Sequence, residues 1–85
     1  MEEVGREVGR VTHYYSKIGV AVIELKAPLA KGDTILIKGS TTNLEQKVES
    51  MQIEHKDIER AEAGQAIGLK VKDRVREGDV VYKIS

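Results

Sequence analysis

The sequence contains no cysteine, phenylalanine or tryptophan, and only one proline in 85 residues. Without cysteine the chain has no disulfide framework and no thiolate chemistry. Without Phe or Trp its core must consist of Val, Ile, Leu, Met and Ala, and so many β-branched residues suit strands better than helices. These absences favour a small β protein whose stability rests on aliphatic packing.

The chain also lacks an excess of charge, because 14 Lys and Arg residues balance 14 Asp and Glu residues along its length. Strong non-specific binding to nucleic acid needs a basic surplus, so the composition counts against it without excluding a local basic stripe. No apolar run approaches the roughly 20 residues that span a bilayer, and the N-terminus has no apolar signal core. We therefore expect a cytoplasmic protein without membrane contact.

One kind of turn occurs twice. Leu29-x-x-Gly32-Asp33 and Val75-x-x-Gly78-Asp79 have the same spacing, and each precedes a run of aliphatic residues. Glycine permits a positive φ, and the aspartate can hydrogen-bond to the neighbouring backbone. The length allows a single domain, which we place at residues 8–85, after a flexible lead-in at residues 1–7.

Alternating aliphatic residues predict six short strands, at residues 7–14, 20–25, 35–38, 46–55, 67–71 and 80–84. Val48 is out of phase with Met51 and Ile53, and a β-bulge at residues 49–50 would bring all three into the core. Residues 57–63 are expected to form one helical turn that ends at Gly64. The pattern predicts an all-β fold, and closure into an antiparallel barrel is favoured because it removes exposed edges.

Several short motifs occur in a familiar order. They are Val8-Gly9-Arg10-Val11, Leu29-x-x-Gly32-Asp33, residues 48–53, residues 63–68 and residues 76–81. In this order they resemble domain 2 of translational GTPases of the elongation factor Tu type. The resemblance implies a small closed Greek-key barrel of six or seven strands that contacts ribosomal RNA, transfer RNA or a translation-related protein. The chain also looks like small stand-alone translation-elongation-factor-like proteins, and similar barrels end some U32-type peptidases.

Two features of that family are missing. The chain has no G-x-x-x-x-G-K-[ST] loop, so we expect no GTP binding. In the elongation factor Tu family, the pocket for the aminoacylated adenosine uses a Glu and an Asn, at positions where this chain has Gln52 and Ala66. Their loss argues against binding of an aminoacyl-tRNA end.

Two clusters are candidates for a binding surface. Lys70, Lys72, Arg74 and Arg76 alternate and would form a basic stripe if the strand continued, although a solvated strand face explains them as well. Residues 13–15 are the only aromatic cluster. A period of two places His13 and Tyr15 on one face, where they can stack bases or pack on a neighbour, and turns Tyr14 towards the core.

Catalytic and metal chemistry have little support. His13 and His55 are the only histidines, whereas a metal site needs three or four ligands. No nucleophile elbow or triad order is present. We therefore expect no enzyme activity, no metal and no cofactor, and a small enzyme that uses one of these histidines is a minor alternative.

The leading hypothesis is a non-catalytic binding module related to domain 2 of translational GTPases. The alternative is a protein-interaction or accessory domain that partners an enzyme such as a U32-type peptidase; the even charge favours this reading, since protein interfaces need no basic surplus. The candidate binding residues for RNA or a protein partner are Arg10, His13, Tyr15, Lys17, Gln52, His55, Lys70, Lys72, Arg74 and Arg76.

Overall fold

The computed structural model describes residues 5–84. These residues form ten strands, and none of them lies in a helix that is long and apolar enough to cross a membrane. The strands are β1 (Arg6–Tyr15), β2 (Val20–Leu25), β3 (Leu29–Ala30), β4 (Thr34–Lys38), β5 (Asn43–Lys47), β6 (Met51–Ile53), β7 (Lys56–Ile58), β8 (Arg60–Ala61), β9 (Ala66–Lys70) and β10 (Val80–Lys83).

Eight strands form one antiparallel sheet in the order β5-β4-β10-β1-β2-β9-β6-β7, and β3 pairs with β8 in a separate ribbon. The register of β1 shifts between Glu7 and Gly9 and again between Val11 and His13, and such irregularities bend a strand. The sheet curls into a half-barrel with β5 and β7 at its edges. The all-β prediction is confirmed, but the sheet is open and has eight strands, so the closed six- or seven-stranded Greek-key barrel is not what this chain forms.

The sheet stays open because the strand predicted at residues 46–55 is two strands. β5 ends at Lys47 and pairs with β4, whereas β6 begins at Met51 and pairs with β9, on the far side of the sheet. The chain leaves the ladder at residues 48–50, where a bulge was expected. Val48 and Met51 are nevertheless both buried, so the break achieves the change of phase that the bulge was expected to provide.

The core lies against one face of the curled sheet and is aliphatic, as predicted. Ile35 and Ile37 of β4, and Ile67 and Leu69 of β9, point inward with the period of two that a strand requires. The β3–β8 ribbon also contributes buried side chains, and it therefore covers part of the core. The fully buried large side chains are Ile23, Leu29, Ile35, Ile37, Met51, Ile67, Leu69, Val8, Val11, Val48, Val75 and Val81.

Residues 57–63 form no helical turn, and that prediction was wrong. An isolated helical turn is unstable because it makes few hydrogen bonds for the residues it fixes. Here the same residues pair instead: Lys56–Ile58 pairs with β6, and Arg60–Ala61 pairs with β3.

The repeated turn is confirmed at the level of individual hydrogen bonds. In the first copy, the Ala30 amide donates to Asp33 Oδ2 at 2.9 Å, and the Asp33 amide donates to the Ala30 carbonyl at 3.1 Å. Arg76 and Asp79 make the same two bonds at 2.9 and 3.1 Å. Gly32 and Gly78 have φ of 97° and 93°, the positive value that a type II turn requires at this position.

A third copy of this turn occurs at Glu62–Gln65, where a glutamine replaces the aspartate. The Glu62 amide donates to Gln65 Oε1 at 2.8 Å, the Gln65 amide donates to the Glu62 carbonyl at 3.2 Å, and Gly64 has φ of 90°. The residue before each turn is buried: Leu29, Ala61 or Val75. The same four-residue turn, which we call the corner, therefore follows a buried residue at three places in the chain.

The N-terminal lead-in overlaps β1. Arg6 and Glu7 pair with Lys83 and Tyr82 of β10. The remaining part of the predicted lead-in that precedes Gly5 lies outside the described residues.

Candidate functional site

Two large apolar side chains are exposed at one end of the molecule. Tyr15 is 49% and Ile18 is 60% exposed, and both belong to the hairpin that joins β1 to β2. The hairpin turn forms because the Gly19 amide donates to the Tyr15 carbonyl at 2.9 Å and Gly19 takes a φ of 67°. The turn therefore holds Ile18 in solvent, next to the exposed Tyr15.

These side chains border a groove with a volume of about 280 Å³. The β1–β2 hairpin forms one wall, the β6–β7 hairpin forms the other, and β2 and β9 form the base. Gly68 lies in this base, and a Cβ atom there would meet Val20 Cγ1 at 3.4 Å, an ordinary van der Waals contact. The groove is lined by Tyr15, Ile18, Val20, Val22, Gln52, Glu54, His55, Ala66, Ile67 and Gly68. We call this surface the docking groove.

The β6–β7 wall is strained. Glu54 and His55 form a two-residue hairpin turn with φ of 52° and 66°. Turns with two positive φ values favour Asn-Gly, and a non-glycine residue in this conformation costs of the order of 1 kcal/mol. Backbone strain of this kind occurs preferentially at functional sites. The strained turn lies directly at the docking groove.

Tyr15 is in contact with His13 on the same face of β1. The rings of His13 and Tyr15 meet edge to face with centroids 4.3 Å apart, and His13 Nδ1 lies 3.2 Å from Glu77 Oε2. His13 and Tyr15 share one face and Tyr14 packs against the core, as the period of two predicted.

A second, polar cleft lies between the start of β5 and the segment that follows β9. It has a volume of about 380 Å³ and is lined by Thr41, Thr42, Asn43, Leu44, Asp73, Arg74 and Arg76. At one end of it the Gln46 side chain crosses from β5 to the opposite segment. We call this surface the arginine cleft.

The candidate binding residues are divided between these surfaces. Tyr15, Gln52 and His55 line the docking groove, with Lys17 in the adjoining hairpin turn, and Arg74 and Arg76 line the arginine cleft. The residues that lie elsewhere are His13 at Glu77, Arg10 opposite Glu24, Lys70 opposite Val20, and the exposed Lys72.

The candidate basic stripe, which required the strand to continue, is not formed. β9 ends at Lys70, and the chain then turns so that the Lys72 amide donates to Gln46 Oε1 at 2.8 Å. Alternation along a strand therefore does not extend to Lys72, Arg74 and Arg76.

Three residues of the docking groove were not predicted from the sequence: Ile18, Val20 and Val22. An isoleucine in a hairpin turn is nevertheless a visible signal for an exposed apolar contact.

The described residues offer no group of three or more His, Asp or Glu side chains that is arranged to hold a metal ion. The docking groove contains one imidazole and one carboxylate, at His55 and Glu54. Its other lining groups are apolar, amide or phenolic. The site can therefore bind by apolar contact and hydrogen bonding.

Comparison with known proteins identifies the relatives of this chain. Residues 6–81 match the profile of the Peptidase family U32 C-terminal domain. The chain belongs to this family. An uncharacterized protease of Methanocaldococcus jannaschii is 54% identical to this U32 C-terminal domain over 77 residues, which cover 89% of the chain and 19% of the protease. A collagenase of Porphyromonas gingivalis is 41% identical over 78 residues, which cover 89% of the chain and 22% of the collagenase. The chain thus spans about a fifth of the length of these curated relatives.

Solved structures support the fold of the U32 C-terminal domain. The crystal structure of the C-terminal domain of a proposed U32 peptidase from Geobacillus thermoleovorans superposes with a TM-score of 0.87, covering 100% of this chain and 99% of that one, at 20% identity. Its selenomethionine variant also gives 0.87, covering 92% of this chain and 99% of that one, at 22% identity.

The family corrects the leading functional hypothesis. The relation to translational GTPases is not confirmed, and the predicted RNA-binding, ribosome-directed function was wrong. The alternative, an accessory domain of the U32 peptidase type, is the reading that the family supports. The error has a physical origin, because the Gly-Asp motifs that carried the resemblance encode the corners of a small β fold. They do not encode its partner.

Proposed function

We propose that this U32 C-terminal domain is a non-catalytic accessory module that docks onto the remaining part of a U32-type peptidase through the docking groove. The observation that carries the proposal is the pair of exposed apolar side chains, Tyr15 and Ile18, beside a preformed groove. Tyrosine is enriched in protein interfaces because it combines a large apolar area with a polar group.

The relatives indicate which partner would occupy the docking groove. This chain corresponds to 19% and 22% of the two curated proteins, so in them the same domain is attached to a much larger portion of polypeptide. The whole Methanocaldococcus jannaschii relative is named a protease, which fits chemistry in that larger portion. A surface that remains apolar and exposed on the isolated domain suits contact with it.

The groove itself favours binding over catalysis. A hydrolase that uses a nucleophile needs a hydroxyl or thiol within hydrogen-bond reach of a base. Among the described residues that line the groove, the only hydroxyl group is the Tyr15 phenol, and the candidate bases are the imidazole of His55 and the carboxylate of Glu54. Neither base is hydrogen-bonded to the phenol in the described part of the chain. Hydrolytic chemistry, where it occurs in these relatives, is thus assigned to their other portion.

The test is a binding titration between this chain and the Methanocaldococcus jannaschii protease from which the matching 77 residues have been removed. We expect saturable binding by calorimetry. The Tyr15→Ser, Ile18→Ser double variant should weaken it by about tenfold or more, since truncation of a central interface side chain costs upwards of about 1–2 kcal/mol.

The matched control is Lys38→Ser, an exposed position on β4, three strands away from β2 in the sheet. It should bind like the unaltered chain. The truncated protease must first be shown by circular dichroism and gel filtration to be folded and monodisperse. With a folded partner, absence of binding, or equal loss in the Lys38 control and the double variant, would refute the proposal.

A further inference from the structure

We propose that the arginine cleft is a second binding site, which accepts an extended acidic segment of another protein as an added strand on β5. The site is independent of the docking groove. Its components are the open edge of β5, a cleft of about 380 Å³ at the start of that strand, and two arginines among the residues that line the cleft.

The first step is the direction of the backbone groups of β5. In an antiparallel pair, alternate residues exchange hydrogen bonds with the partner strand and the others point away. The Gly39 amide donates to the Thr42 carbonyl at 2.8 Å, and the Val48 amide donates to the Asp33 carbonyl at 2.7 Å. The even-numbered residues therefore bond towards β4, and the N–H and C=O groups of Asn43, Glu45 and Lys47 face the open edge.

The second step concerns how much of the β5 edge is open to a partner. Gln46 Nε2 donates to the Lys70 carbonyl at 2.9 Å, and the Lys72 amide donates to Gln46 Oε1 at 2.8 Å. This side chain ties β5 to the opposite segment at one end of the cleft. Beyond Gln46, towards Asn43, the two sides separate, and the gap between them is the arginine cleft.

The third step is the charge of the cleft. The Asp73 carboxylate accepts a hydrogen bond from the Arg74 amide at 2.7 Å, and the Asp79 carboxylate accepts one from the Arg76 amide at 2.9 Å. Both backbone amides are thus occupied. Neither guanidinium is among the ion pairs formed within residues 5–84. Guanidinium groups bind carboxylates in a bidentate manner, and two arginines stand against one aspartate among the lining residues, so the charge of the cleft favours acidic side chains.

Strand addition supplies the rest of the recognition. Main-chain hydrogen bonds to an exposed edge provide affinity for any extended peptide, and side-chain contacts provide the specificity. In an extended segment, alternate side chains lie on one face, so acidic residues spaced by two can turn together towards Arg74 and Arg76. The ligand class is therefore an extended polypeptide with alternating acidic residues.

The probe is a short synthetic peptide with glutamate at every second position and valine between them, followed by amide shifts in ¹H–¹⁵N NMR spectra. We expect saturable shifts at Asn43 and Glu45, and a smaller one at Lys47, which lies on the other side of the Gln46 hydrogen bonds. Replacement of the glutamates by glutamine should weaken binding, and Arg74→Gln or Arg76→Gln should each weaken it by about two- to fivefold, the range for partly exposed ion pairs. N-methylation of the amides that face β5 should abolish it.

The matched control is Arg60→Gln, an exposed arginine on the β3–β8 ribbon, which should leave the affinity unchanged. The Tyr15→Ser, Ile18→Ser variant should also bind the peptide normally, so this site and the docking groove can fail separately. Equal affinity for the glutamine peptide, insensitivity to both arginines, or shifts confined to the docking groove would overturn the inference. Absence of any shift at millimolar peptide would do the same.

Discussion

Glu54 and His55 are the two described non-glycine residues with a positive φ, and both line the docking groove. Most hairpin turns of this shape are made by Asn-Gly because glycine and asparagine adopt the left-handed conformation with little strain. This chain uses a carboxylate and an imidazole instead. The strain at these two residues therefore coincides with the surface that we assign to a partner.

Replacing the pair by Glu54→Asn and His55→Gly should raise the free energy of unfolding by about 1–2 kcal/mol, because two strained residues are relieved. Urea denaturation measures the change. The control is Ala63→Gly, in a turn where residue 63 has no positive φ; it should lower stability by a few tenths to about 1 kcal/mol, from the added freedom of the unfolded chain. A destabilised Asn-Gly variant would show that the turn is not strained.

At the scale of the element, the recurring unit is the four-residue corner. Ala30–Asp33, Glu62–Gln65 and Arg76–Asp79 share a glycine in the third position and a side-chain acceptor in the fourth. They differ in burial: the Asp79 side chain is buried, Asp33 is half-buried and Gln65 is exposed. Hydrogen bonds to buried charged groups are worth more than those to exposed neutral ones.

Asp79→Ala should therefore cost about 1.5–3 kcal/mol, because it leaves the Arg76 amide without its acceptor. Gln65→Ala should cost about 0.5–1 kcal/mol, since water can replace its single exposed hydrogen bond. Asp79→Asn, which keeps an acceptor oxygen, should recover most of the loss. Thermal or urea unfolding measures all three, and equal costs for Asp79→Ala and Gln65→Ala would contradict the role given to burial.

Some elements could be predicted from the local sequence, and others could not. β2 was predicted with its observed bounds, Val20–Leu25, because its aliphatic run is bounded by Gly19 and Lys26. The helical turn at residues 57–63 was wrong because its Asp and Ala content describes a helix, while pairing with the neighbouring β6 and the distant β3 decides the outcome. The third corner was missed because glutamine is not a typical turn residue.

At the scale of the whole molecule, the open sheet is held by a side chain where a closed barrel would have a strand pair. Gln46 is 5% exposed and makes two hydrogen bonds, to the Lys70 carbonyl and from the Lys72 amide. The Gln46 side-chain amide thus makes one donated and one accepted hydrogen bond, as a residue of a paired strand would make with its main chain. Strand β5 would otherwise be attached along β4 alone.

Gln46→Met keeps the length of the side chain but removes both hydrogen bonds, so we expect a loss of about 2–3 kcal/mol. The matched control is Gln52→Met, which removes one exposed bond to Asp57 and should cost about 0.5–1 kcal/mol. Hydrogen exchange provides a second readout, since the Lys72 amide should lose protection in the Gln46 variant. Unchanged protection at Lys72 would contradict the role of the side chain in holding the edge.

The surfaces could be predicted less well than the fold. Tyr15, Gln52 and His55 were selected from sequence and do meet in one groove, but Ile18 was not selected, although its place in a hairpin turn indicates exposure. Arg74 and Arg76 were selected for a stripe that does not form. They face a cleft because the Gln46 hydrogen bonds redirect the chain after β9, a long-range contact with no local signal.

The place of β10 has a consequence for how the domain is made. β10 is the last strand of the domain to be synthesised, yet it lies between β1 and β4 and pairs with both. Until Lys83 has left the exit tunnel, the hairpin built by β1 and β2 cannot be joined through the sheet to the one built by β4 and β5. We therefore expect the complete sheet to form in a late step, and the nascent chain to carry unpaired strands until then.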